Sequence, residues 1–85
     1  MATASPAPTP NPNAMRFSLD VTLSTTMNVT SRAAADGNDF AQAVFDAGGV
    51  ASIFGVNDFV TVTREPDASW DAIVVAVRAA AEAYL

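Results

Sequence analysis

Trp70, Ile73, Val74, Val77, Ala80, Ala81 and Tyr84 recur at helical spacing near the C-terminal end of the chain. They form one apolar stripe over about four turns of helix. Ser69 or Asp67 is placed to cap its N-terminus, and Asp71 complements the positive end of the helix dipole. Asp71, Arg78 and Glu82 fall on the watery side, with Arg78 and Glu82 spaced to pair at i, i+4. A stripe this wide must be covered, and 85 residues leave room for one thin core only. No apolar run reaches the roughly 20 residues of a bilayer span, so the cover has to come from the same small domain.

Period-two segments supply it. Met15, Phe17 and Leu19 alternate with Arg16 and Ser18, the half-buried pattern of an antiparallel strand. Met27-Asn28-Val29-Thr30 alternates again after the turn-like Ser24-Thr25-Thr26. This predicts strands over 14–20 and 26–31, joined as a hairpin. A polar gap, Asp36-Gly37-Asn38-Asp39, then leads to Phe40, Ala43, Val44 and Ala47, one face of a short helix. Asn38 or Asp39 is its cap, and Gly48-Gly49 its stop. Val50–Val56 and Phe59–Arg64 flank Asn57-Asp58, a second hairpin ended by Glu65-Pro66. The predicted fold is α+β and two-layered: an antiparallel four-stranded sheet with two helices on one face, in the order ββαββα. Residues 1–7, rich in Pro and Ala, are expected to be a flexible tail, and residues 8–85 a single domain.

Composition narrows the chemistry. The chain has no cysteine, histidine or lysine; its four bases, all arginine, face nine acids, for a net charge of −5. Without Cys there is no thiolate nucleophile and no thiolate-held cluster or zinc. Without His the commonest general base and metal ligand is gone, and without Lys there is no Schiff base and no phosphate-loop lysine. Four dispersed arginines in an acidic chain do not make a nucleic-acid footprint or an anionic-membrane anchor. The remaining acids sit mostly at turns and caps, which are solvated. The Asp36–Asp39 cluster lacks the wider spacing and distal Glu of a calcium loop, so capping explains it better. Gly48-Gly49 lacks the lysine and flanking glycines of a phosphate loop. No catalytic residue, cofactor site or metal site is predicted, and the chain is expected not to be an enzyme. The N-terminus has neither the basic start nor the apolar stretch of a secretory signal, so a cytoplasmic location is expected.

The most distinctive stretch is Pro8-Thr9-Pro10-Asn11-Pro12-Asn13-Ala14-Met15-Arg16-Phe17. It resembles the opening of the N-terminal domain of the Nfu/NifU-type iron–sulfur cluster scaffold proteins. Further positions agree in order and spacing: Phe45 followed by Gly49-Val50, the run Phe59-Val60-Thr61-Val62-Thr63, and Trp70 followed by Ile73. The resemblance covers 8–85. Gly48 stands where that family often has Pro, a difference expected to affect only the turn, and Ala33–Gly37 match loosely.

Larger members of the family carry a second domain whose Cys-x-x-Cys motif holds the cluster. These residues contain no thiol, so the cluster-carrying role does not transfer. The resemblance implies an accessory, non-catalytic protein-interaction module of iron–sulfur cluster assembly. Its partner would be a cluster-carrying scaffold or client apoprotein; separately, the chain is expected to be a monomer or weak dimer.

Six residues are candidates for partner contact: Pro10, Asn11, Pro12, Asn13, Arg16 and Arg64. The Pro-Asn run is stiff, so docking on it wastes little entropy, and it leads into a strand that can lie at a sheet edge, open to strand addition. The plainer reading is that Asn11 and Asn13 satisfy backbone groups where the tail crosses the domain, since Asn commonly bonds its own backbone in turns. Arg16 and Arg64 both lie on strands; sharing a sheet face, they would grip an acidic or phosphorylated peptide. That grip defines the alternative function, a generic peptide- or phosphopeptide-binding domain.

Overall fold

A computed structural model describes residues 2–23 and 25–85, the side chain of Pro8 excepted. Five strands and two helices follow one another as β1 (Ala4–Pro8), β2 (Ala14–Leu19), β3 (Met27–Val29), α1 (Asp39–Asp46), β4 (Val50–Val56), β5 (Phe59–Arg64) and α2 (Trp70–Tyr84). A single 3-10 turn, Ala33–Ala35, precedes α1. The sheet is antiparallel, in the order β1-β2-β5-β4-β3. The α+β, two-layer reading therefore holds, with five strands in place of four.

The additional strand lies in the segment expected to be a loose tail. Ala4 pairs with Leu19 and Pro8 with Met15, so the sheet begins at Ala4, upstream of the expected boundary at residue 8. Two physical reasons account for it. Ala2 and Ala4 are small enough to be buried with the core, and the Ala2 N–H donates to the Ala81 carbonyl of α2 at 3.2 Å. Proline, too, is tolerated in a strand on the outside of a sheet, where its missing N–H breaks no ladder. Pro6 and Pro8 fall on alternate positions of an edge strand and so are compatible with pairing to β2.

The expected hairpin between residues 14–20 and 26–31 does not form. β2 is enclosed by β1 and β5, while β3, only three residues long, pairs with β4 at the far side of the sheet. Instead of turning back, the chain crosses the end of the sheet: the Leu19 and Leu23 N–H groups donate to the carbonyls of Asp58 and Asn57 at 2.7 and 2.6 Å. The turn expected at Ser24-Thr25-Thr26 begins on a residue outside the described ones.

The second hairpin stands as read. Asn57 takes a left-handed conformation, φ 57°, in the tight turn between β4 and β5. Its register sets Ile53 opposite Val62 and Phe54 opposite Thr61. Both helix starts are capped by side chains. Asn38 Oδ1 accepts the Ala41 N–H at 3.0 Å, and the Ser69 hydroxyl accepts the Asp71 N–H at 3.3 Å. Asn38→Ala is expected to lower stability by about 1 kcal/mol, read as a lower urea midpoint with an unchanged m-value.

One core holds the layers together. Phe17, Val60, Val62 and Ile53 of the sheet meet Val44 of α1 and Ile73 and Val77 of α2, all of them essentially inaccessible. Their neighbours along each strand point the other way. Both helices thus cover the same sheet face and the opposite face is left to solvent. The stripe of α2 is buried at Ile73, Val77, Ala80 and Ala81, but Tyr84 lies exposed past its end. Arg78 and Glu82 are both exposed, and among the described residues the one ion pair is Arg32 to Asp46 at 3.1 Å.

Candidate functional site

The six candidate residues divide between two places. Pro10–Asn13 form the turn between β1 and β2, and it is fastened from within. Thr9 Oγ1 donates toward the carbonyls of Asn11 and Ala14 at 2.9 and 3.0 Å, and accepts the Asn11 N–H at 3.2 Å. Asn11 Oδ1 accepts the Asn13 N–H at 2.9 Å, an Asx turn. The Asn11 side-chain oxygen is thereby used by the turn itself. Pro10, Asn11 and Pro12 remain exposed on its outside.

Arg64 and Trp70 tie this turn to the rest of the domain. The Arg64 N–H donates to the Asn13 carbonyl at 2.8 Å, and the Trp70 indole N–H to the Pro12 carbonyl at 3.3 Å. The Arg64 guanidinium lies over the Trp70 ring, 5.6 Å from its centroid, and its Nη1 donates to the Ala68 carbonyl at 2.6 Å. Its Nε is buried and has no hydrogen-bond partner. Arg64 is thus committed to holding the loop between β5 and α2, and its half-buried side chain offers little of itself to a partner.

Arg16 is elsewhere. It pairs with Thr61, on the face opposite Val60 and Val62, whereas Arg64 has the strand parity of those buried valines. The two arginines do not share a face, which removes the geometry of a two-arginine grip. Nor is a free edge available where the Pro-Asn turn leads: β2 is paired on both sides. On the outer edge of β1, Pro6 has no N–H to offer an added strand.

On the helix-free face the Arg16 guanidinium lies 3.9 Å from the centroid of the Phe59 ring. The registers align one row straight across all five strands: Ala7, Arg16, Thr61, Phe54, Asn28. Phe54 and Phe59 escaped the list of candidates, although a signal for both was present. Alternation through Val50–Val56 sets Phe54 against Ile53, and the two-residue turn then places it beside Thr61. Among the described residues there is no enclosed cavity, no group of three or more metal-ligating side chains, and no helix long and apolar enough to cross a membrane. What the molecule presents is surface: a stiff turn at one end and an open sheet face.

Comparison with known proteins gives this surface a context. The family profile described as "Scaffold protein Nfu/NifU N terminal" matches residues 5–85. Protein SAV1430 of Staphylococcus aureus, known from a crystal structure, superposes with a TM-score of 0.75 at 30% identity, over 92% of this chain and 96% of that one. A NifU-like protein of Saccharomyces cerevisiae shares the fold with a TM-score of 0.78 at 21% identity, over 91% of this chain and 72% of that one. SeR13 of Staphylococcus epidermidis follows with a TM-score of 0.60 at 27% identity, over 86% of each chain. No curated protein sequence matches.

Proposed function

Since the chain belongs to the Nfu/NifU N-terminal family of scaffold proteins, a family involved in iron–sulfur cluster assembly, we propose that it serves that process by contact, as a non-catalytic accessory module. It meets a cluster-carrying scaffold or a client apoprotein and leaves the cluster on its partner. The observation that carries this reading is the donor set. Protein-held clusters are ligated by cysteine thiolates, with histidine replacing some of them in certain centres, and this chain contains neither residue. Its carboxylates and hydroxyls are hard donors better matched to other metals.

The fold supports the same division of labour. The rigid β1–β2 turn and a sheet face free of helices are preorganised surfaces, and docking on such surfaces costs little ordering entropy. The alternative of a phosphopeptide binder needs Arg16 and Arg64 together, and they lie on opposite faces.

The test is capture in trans. Immobilised protein is expected to enrich a Cys-x-x-Cys scaffold protein, or its apoprotein acceptor, at least about tenfold over a control domain of equal charge, a difference of about 1.4 kcal/mol. After anaerobic incubation with iron and sulfide, the protein itself is expected to remain colourless. Equal retention by the control, or stoichiometric iron and sulfide held by this chain alone, would refute the reading.

A further inference from the structure

The helix-free face carries an arrangement that a merely solvated sheet does not need. Phe54 is 42% exposed although it stands on β4, an interior strand, with paired neighbours on both sides. Across Thr61 from it lies Arg16, its guanidinium stacked over Phe59. That stacking holds the planar fork in place while leaving in-plane donors free, so less side-chain entropy is lost when a carboxylate arrives. The charge around it is one-sided. All nine acids lie in turns, loops or helices and none lies within a strand, so the strands themselves place a guanidinium and no carboxylate on the open face of a chain of net charge −5.

We propose that this face, centred on Arg16, Phe59, Thr61 and Phe54, is a docking surface for a partner protein that presents an apolar side chain next to a carboxylate. The proposal rests on the interaction-module reading and assigns it a surface and a partner chemistry. The apolar group covers Phe54, and the carboxylate takes the fork of Arg16, which has no acid beside it on the sheet. A second copy of the chain is the wrong occupant. An isologous contact would set this face against itself, with a guanidinium on each side and no carboxylate to receive either. Nucleic acid and anionic lipid are opposed by the net charge. The proposed contact uses side chains of the face, and strand addition beside β1 is opposed by Pro6, which has no donor on the outer edge.

The test has two arms, both on the whole chain. In the first, isotope-labelled protein is titrated with a peptide of alternating Leu and Glu, and with its Leu/Gln counterpart, while amide resonances are followed by NMR. The Glu peptide is expected to shift residues around Arg16, Thr61 and Phe54. Arg16→Glu and Phe54→Ser, both at exposed positions, are each expected to weaken binding about fivefold or more, with amide dispersion retained. Val75→Ser, on the outer side of α2, is expected to leave binding unchanged. Equal binding of the Gln peptide, shifts confined to Pro10–Asn13, or no shifts at all would overturn the proposal. The second arm repeats the capture of a Cys-x-x-Cys scaffold with wild type and Arg16→Glu. Loss of capture by the variant supports the surface; equal capture by both overturns it and leaves the accessory role standing. Capture by neither, with the peptide shifts intact, refutes the accessory role alone.

Discussion

Phe17→Ala is expected to lower the stability of the domain by about 3–5 kcal/mol. Phe17 is fully inaccessible on the interior strand β2, directly opposite Val60 of β5 and Pro6 of β1. Its ring lies in the core that α1 and α2 close over, the one buried cluster among the described residues. Small domains hold only about 5–15 kcal/mol in all, so this one truncation removes a large part of the margin. Denaturant unfolding followed by the fluorescence of Trp70, the only tryptophan, measures it. A loss below about 1.5 kcal/mol, the scale of removing one or two buried methylenes, would mean that the ring is not packed as described.

Gly49→Ala is expected to cost about 2–4 kcal/mol, from two separate causes. The backbone there is left-handed, φ +80°, where an added Cβ meets its own carbonyl. A Cβ at Gly49 would also come within 2.5 Å of the Ala68 Cβ, with Ile73 close behind. The neighbouring Gly48 has nearly the same φ, +81°, but open space around it. Gly48→Ala should therefore carry the conformational cost alone, about 1–2 kcal/mol. Comparing the two variants by thermal or denaturant unfolding separates strain from collision. Equal losses would show that the loop before α2 moves aside. The consequence reaches the loop between β5 and α2, because the Gly49 carbonyl accepts the Glu65 N–H at 2.6 Å and so anchors the chain beside Arg64.

Elements that depend on neighbouring residues were legible in the sequence, and those that depend on distant ones were not. The α2 stripe, the cap at Asn38, the paired glycines and the Asn57-Asp58 hairpin are encoded within a few positions of each other, and all are present. Strand β1 was invisible because Pro alternating with Ala has the composition of a tail. What makes it a strand is β2 alongside and α2 above. The mistaken hairpin between β2 and β3 has the same origin: the true partner of β2 is β5, forty or more residues onward. At the site, one error was avoidable. Arg16 sits between Met15 and Phe17, hence on the wet face, while Arg64 continues the parity of Val60 and Val62, hence on the covered one. Alternation alone already separated them. The open aromatic row was partly readable, but its alignment with Arg16 needs the β2–β5 register.

The sheet's order also dictates when it can assemble. β1 and β2 form a local pair, but their inward-facing side chains stay uncovered until β5 flanks β2 and α2 closes over that face. A nascent chain that has reached only the end of α1 therefore holds Phe17 and Leu19 uncovered, and must be kept from sticking to other chains during that interval. The β4–β5 hairpin closes locally, so productive folding waits on the long-range pairing of β5 with β2, which joins the two halves.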